Sequence, residues 1–512
     1  MIKSNYDVII IGGGHNGLIA ATYLAKAGKS VLLLEANGEL GGATTSVRVF
    51  PDFDARLSRY SYLVSLLPDK IISDLNLNFK TLHREVMSYT PIEENASHIG
   101  LLIARNWDEN TISSFQNLND GNEDMKEWQS FYEEIAQFAK KIAPTLLKPL
   151  PSREELKNSI GLDETWKYLI DEPIGKVISE RFKNDYIKGV ILTDALIGTF
   201  VSANSLQANI CFLYHLIGNG SGEWKVPEGG MGALVLELKR VAQAAGVEIS
   251  LHSKVAKVES SKEEVTVVLE NGNVFKSEYL LSNAAPQVLA KLRGTPVPRS
   301  LEGSQLKINM LVTKLPEFKS GVNPADAFAG TLHINESFSQ LEKAYHEAEK
   351  GQIPSTLPLE IYCHTLTDPT ILSPDLQEKG YHTLTLFGIH TPANLFDVNH
   401  DTQRQLAKEA AIHSLNQYLK EPIEKVLAIN SQGEYCIEVK TPLDIEAEIS
   451  LPRGNIFHKD LSFPFREEDE KPSWGVETDE PRIFICGAGA KRGGGVSGIP
   501  GHNAAMAVLE RG

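Results

Sequence analysis

YDVIIIGGGHNG, Tyr6 to Gly17, is a short apolar run that stops abruptly in glycine. Apolar residues without alternation suit a strand buried on both faces, as in a parallel sheet. Leu18, Ala21, Thr22, Leu24 and Ala25 then supply one face of a helix, and Gly28 ends it. Ser30 to Glu35 reads as a second strand, so strand, helix and strand form a βαβ unit. The turn between them, Gly12-Gly13-Gly14-His15-Asn16-Gly17, has the spacing GxGxxG. Gly12 permits the tight turn, Gly14 lets the backbone approach a pyrophosphate, and Gly17 lets the helix pack closely on the sheet. A helix N-terminus here offers free N–H groups and a positive dipole end, with His15 and Asn16 in its first turn. Glu35 closes the second strand eighteen residues after Gly17, where its carboxylate can accept hydrogen bonds from a ribose.

NAD and FAD share this fingerprint, and the choice between them comes from other segments. Glu35 is followed by Leu40-Gly41-Gly42-Ala43-Thr44, a glycine pair placed to bring backbone close to the flavin side of a pyrophosphate, which makes Gly42 and Ala43 candidate contacts. Val255, in the strand pattern VEISLHSKVAKVES, is another. Near the C-terminus FICGAG, Phe484 to Gly489, runs a strand into Gly487, and RGGGVSGIPG, Arg492 to Gly501, leads into a last helix with Pro500 in its first turn. That helix N-terminus, with Val496 beside it, suits the edge of a flavin that becomes negative on reduction. FAD, held without a covalent bond, is the expected cofactor. Cys486, in the preceding strand, reads as a packed apolar residue.

Outward from these segments, residues 70–220 carry long helical patterns, among them Trp128, Phe131, Tyr132, Ile135, Phe138 and Ile142. The stripe is either core or the lining of an apolar tunnel. The dinucleotide pattern returns with a helix near Gly232 to Ala245, then strands with an Asn271-Gly272 hairpin signal. QLKINMLVTKL, LEIYCHTL and HTLTLFGIH read as strands and Thr402 to Leu419 as a covering helix. Glu360 and His364 fall at even spacing in one of these strand patterns. The fold class is therefore α/β and α+β: a Rossmann-type FAD-binding domain from discontinuous segments (1–75, 220–300 and 476–512), plus a substrate domain with a sheet and a helical insertion (76–219 and 301–475).

A chain of 512 residues with 42% hydrophobic and 23% charged composition can bury a large core. Its formal charge of −16 argues against nucleic acid, which is bound by basic surfaces, and leaves a small molecule as the expected partner. The four cysteines, Cys211, Cys363, Cys436 and Cys486, include no CxxC pair, so neither a disulfide framework nor a metal site is expected. No secretory leader pattern precedes the first strand, and the most apolar stretch, Ile191 to Ile217, is broken by Asp194, Asn204, Gln207, Asn209 and His215. A cytoplasmic protein without a transmembrane segment is expected; peripheral membrane contact and oligomeric state are left open.

Together with the opening fingerprint and the LGG turn, GEWKVPEGGMGALVLEL (222–238) and GAGAKRGGGVSGIPGHNAA (487–505) resemble the phytoene-desaturase-like FAD-dependent oxidoreductases. Within them the chain resembles the branch called pyridine nucleotide-disulfide oxidoreductase domain-containing protein 2, to which LSRYSY (57–62) and GNIFH (454–458) also correspond. The resemblance spans nearly the whole chain and implies FAD and a two-domain arrangement like that of amine oxidases and carotenoid desaturases. It implies hydride exchange between the flavin and an apolar organic substrate by desaturation, saturation or isomerisation. Amine oxidation and a flavin-binding protein without turnover are the alternatives. Thiol–disulfide chemistry is not expected, because no cysteine precedes Cys211 and no redox pair is present. His502 and Arg59 are the candidates for the flavin face. An aromatic cage is not evident, Trp474 being the one tryptophan near the C-terminal cofactor segment.

Overall fold

The computed structural model describes residues 3–94, 96–218, 220 and 224–511. The apolar run forms a strand at Asn5–Ile11, the helix after the glycine turn spans His15–Lys26, and the next strand is Val31–Leu34. These strands are parallel, with Val8 opposite Val31, and nearly every side chain in them is buried on both faces of the sheet. Glu248–Ser250 adds a parallel strand outside Val31–Leu34, while Val274–Ser282 pairs in parallel on the other side of Asn5–Ile11. The hairpin of Val265–Leu269 and Val274–Ser282 turns at Gly272, whose φ of 86° is the left-handed value such a turn needs. Ile483–Ile485 pairs with the far half of Val274–Ser282, so the C-terminal segment returns to the sheet that the N-terminus begins. The final helix, Ile499–Leu509, packs on the His15–Lys26 helix, and a Cβ on Gly501 would stand 2.2 Å from the Asn16 carbonyl. Rossmann-type βαβ geometry and its reassembly from three distant segments are thus both present.

A second seven-stranded sheet runs in the order Ile437–Lys440, Leu306–Val312, His382–Gly388, Leu359–Tyr362, Thr331–Ile334, Val86–Glu94 and Ser97–Ala104. All neighbours are antiparallel except Thr331–Ile334 with Val86–Glu94. The helix expected near 402–419 covers this sheet as His400–Asn416. Two readings change here. The segment expected to be a helical insertion contributes the edge hairpin Val86–Ala104 before its helices begin at Glu109. Glu360 and His364 do not share a strand face: the strand ends at Tyr362, and His364 opens a short helical turn with its ring stacked 6.3 Å from that of Tyr362. The glycine-rich stretch 218–222 falls partly outside the described residues.

The insertion centres on the helix Gly121–Ile142. Its stripe divides in two. Phe131, Ile135, Phe138 and Ile142 are buried in an apolar cluster, whereas Trp128 and Tyr132 also line a cavity described below. Phe131 lies against Phe182, Phe212 and Tyr168 with ring centroids 5.6, 6.3 and 5.9 Å away, and the Arg181 guanidinium above it is already paired with Glu127 and Glu134. Phe131→Asp should therefore fail to fold. Removing a buried ring costs about 3–5 kcal/mol before the carboxylate's desolvation is added, against a total stability of about 5–15 kcal/mol. Soluble yield and thermal melting check this; an unchanged melting temperature would show that the stripe is not core.

Candidate functional site

A cavity of about 590 Å³ opens where the glycine turn meets the second sheet, within the size range of small-molecule and cofactor sites. Its lining includes Gly12, Gly14, His15, Asn16, Glu35, Gly42, Ala43, Val255 and Val496 from the residues expected to bind the cofactor. Gly17 and Gly487 stand behind that wall. A Cβ on Gly17 would meet the Gly12 carbonyl at 2.2 Å, and one on Gly487 the Asn283 carbonyl at 2.5 Å, so both serve the close approach of helix, turn and sheet.

The turn is held by backbone. Gly12, at φ 97°, donates its N–H to the Leu34 carbonyl at 2.8 Å, and Asn283 donates its side-chain amide to the Gly12 carbonyl at 3.2 Å. Gly41 donates to the Gly13 carbonyl at 2.9 Å and, at φ 119°, bends the LGG segment back alongside the first turn. Glu35 is 7% exposed and accepts the Gly13 N–H at 2.7 Å on one oxygen and the Asn37 N–H at 2.8 Å on the other. Each carboxylate oxygen keeps a further lone pair for a ligand hydroxyl. His15 meets the Thr44 hydroxyl through Nδ1 at 3.0 Å, while its Nε2 and the Asn16 Oδ1 are buried without a partner among the described residues. Burial pushes the His15 imidazole down to about 4, so it is neutral at physiological pH. Unpartnered buried polar atoms beside a helix N-terminus, a glycine cradle and a carboxylate are the requirements of a dinucleotide's pyrophosphate and ribose, so the residues fit such a group.

The opposite wall is Lys307, Gln305, Ser304, Phe387, Gly198, Ile456 and His458. Lys307 is 1% exposed, and its Nζ has no hydrogen-bond partner among the described residues. It lies 3.7 Å from the centre of the Phe387 ring, its partner across the strand pair. Burial holds its amine well below the usual lysine range, with Glu438 pulling weakly the other way. Behind Phe387 the rings of Tyr62 and Tyr362 stand 4.2 Å apart, with Tyr62 5.5 Å from Phe387. An aromatic layer thus backs this wall, where no cage was evident from sequence. It is assembled from residue 62 and two strands of the second sheet, not from the C-terminal segment.

His502 and Arg59 are not in the cavity lining. His502 is buried in the last helix, its Nδ1 2.9 Å from the Asn503 side-chain oxygen and its ring edge-on to Tyr23. Helical periodicity from Pro500 turns it onto the packing face between helices. Arg59 is tied to Glu438, with Nε 3.1 Å from one carboxylate oxygen, and to Glu448 at 3.3 Å. Glu448 and Tyr60 do line the cavity, so Arg59 braces its wall. Cys486 is fully buried in the sheet, its thiol pushed far up by desolvation.

A Rossmann-type turn, an acidic strand end and a returning C-terminal helix, facing a second sheet across one cavity, define a dinucleotide-binding architecture. Comparison with known proteins makes the class specific. The family described as flavin containing amine oxidoreductase matches residues 17–423, and the chain belongs to it. The chain is 43% identical to the uncharacterized protein Rv0897c of Mycobacterium tuberculosis, over 99% of this chain and 97% of that one. It is 30% identical to mouse pyridine nucleotide-disulfide oxidoreductase domain-containing protein 2, over 99% and 94%. A putrescine oxidase structure superposes with a TM-score of 0.60 at 18% identity, covering 99% of each chain. The protein is a flavin-dependent oxidoreductase. Among the described residues no helix is long and apolar enough to cross a membrane.

Proposed function

We propose that the cavity holds FAD without a covalent bond and that the protein moves a hydride between the flavin and an apolar organic substrate, in a desaturation, saturation or isomerisation. The observation that carries this reading is the course of the cavity. It begins at Gly12, Gly14 and Glu35, passes Gly42 to Thr44 and Gly495-Val496, and ends against Lys307 and Phe387. Residues 1–75, 220–300 and 476–512 would form the cofactor part, and 76–219 and 301–475 the substrate part. The flavin, when bound, supplies a two-electron acceptor or donor.

The chain's own groups do the rest. Glu35 would fix a ribose, and the N-termini of two helices would face the negatively charged portions of the cofactor. Burial favours the neutral form of the Lys307 amine, in which it is a hydrogen-bond acceptor able to hold a water or take a proton. Phe387, Tyr62 and Tyr362 keep that end dry, as hydride transfer requires. No cysteine is among the described residues that line the cavity, which supports a non-covalent site. A second reading, amine oxidation, is favoured by the description of the matching family, flavin containing amine oxidoreductase. Anaerobic mixing of the flavin-loaded protein with long-chain alkenes, saturated hydrocarbons and primary amines separates the two. Bleaching of the oxidised flavin by an apolar hydrocarbon supports the first reading; bleaching by amines alone overturns it in favour of the second.

A further inference from the structure

A second cavity, of about 250 Å³, lies behind the aromatic layer. Arg84, Asp194, His333, Glu360 and Trp224 line it, and Trp128 and Tyr132 of the inserted helix close it. Tyr362 belongs to both sides: its hydroxyl donates to the Glu360 carboxylate, while its ring packs on Tyr62 and lies 6.0 Å from Phe387 of the first cavity.

Arg84 is the group that this surrounding leaves unmatched. One guanidinium nitrogen reaches the Thr331 hydroxyl at 3.5 Å, while Nη2 is shielded from solvent and has no partner among the described residues. The guanidinium lies 5.2 Å over Trp224 and 5.4 Å over Tyr362, so aromatic faces hold it flat. Desolvation weakens the countercharge that the neighbouring acids can offer it. Burial raises the Glu360 carboxyl to about 8 and that of Asp194 to about 7. Glu336, fully buried and hydrogen-bonded to His333, is pushed up as well, and desolvation drives the His333 imidazole down to about 3. His83 and Arg105 at the rim already have partners.

His333, Glu336 and Glu360 bring ligand atoms within 4.8 Å of one another, the spacing of a metal site. The Arg84 charge beside them opposes a cation. Guanidinium keeps its proton in proteins, and a buried cation lacking a partner is costly, whereas its planar fork matches a carboxylate in two parallel hydrogen bonds.

We propose that Arg84 binds the carboxylate of an amphipathic monocarboxylic acid, whose apolar part lies against Trp128 and Tyr132 and is directed toward the layer shared with Lys307. This deepens the flavin reading above and rests on it for the chemistry, though not for the binding. The test is a titration of the purified flavin-loaded protein with octanoate, octylamine and octanol, read by tryptophan fluorescence and calorimetry. Octanoate should bind at least tenfold more tightly than the other two, and Arg84→Gln should abolish that preference with flavin content unchanged, while Arg84→Lys keeps part of it. Octylamine binding as tightly as octanoate, or an octanoate affinity unmoved in Arg84→Gln, would overturn the proposal. If Arg84→Gln does not fold, the wild-type ranking decides. Protein purified without flavin would count against the first cavity's reading and leave the ranking readable, because fluorescence follows Trp128 and Trp224 directly.

Discussion

Gly14→Val should purify as a folded protein that carries no flavin. Gly14 has φ −70° and ψ 171°, an extended conformation open to any residue, so the substitution does not strain the backbone. Its consequence is steric. A Cβ at this position stands 2.8 Å from the Asn283 side-chain amide, which a small rotation relieves, but the two further methyl groups of valine enter the cradle itself. The pyrophosphate and the side chain cannot share that space. Flavin absorbance per protein, with circular dichroism to confirm the fold, reads the result. Glu35→Ala should weaken retention less, by about 1–3 kcal/mol for a lost charge-assisted hydrogen bond. Part of that loss would come from releasing the Gly13 and Asn37 N–H groups that Glu35 now holds. Equal flavin in Gly14→Val and the natural protein would place the cofactor elsewhere.

Lys307→Met should retain flavin yet slow its reduction by substrate about 100-fold or more, the range lost with a positioned acid–base group. Reduction by dithionite, which needs no positioned base, should be unaffected. Methionine fills a similar volume and removes an amine buried without a partner, so the variant should be no less stable than the natural protein. The pH dependence has a definite sign. Desolvation depresses the Lys307 pKa, so the neutral amine persists to lower pH than in an ordinary lysine and is lost by protonation on acidification. Stopped-flow reduction should therefore slow as pH falls and show no rise tied to an ordinary lysine at alkaline pH. Identical rates in Lys307→Met and the natural protein would remove Lys307 from the chemistry.

The first sheet and its glycine turn were legible because their signals are local. Gly12, Gly14, Gly17 and Glu35 lie within one βαβ unit, and their spacing carries their roles. The returning segments at Val255 and Val496 could be placed because strand and helix patterns punctuated by glycine survive long insertions. The second sheet was legible only as strands. Lys307 is the second residue of the strand Leu306–Val312, where nothing in the spacing separates a buried lysine from an exposed one. Tyr62, Tyr362 and Phe387 come together through contacts between residues three hundred positions apart, which no local pattern encodes. His502 and Arg59 were chosen for nearness in sequence to glycine turns. Helix phase turns the first away from the cavity, and the Glu438 and Glu448 carboxylates claim the second. The helical stripe was ambiguous for a sound reason: core and cavity lining both demand apolar residues, and this stripe supplies both.

The most direct test of the central claim is the absorption spectrum of the purified protein, taken before and after acid precipitation. The account predicts the bands of an oxidised flavin in the native protein and their complete transfer, as FAD in near-equimolar amount, to the supernatant. Protein that carries no flavin, that yields a nicotinamide dinucleotide instead, or that keeps the flavin in the precipitate would contradict it.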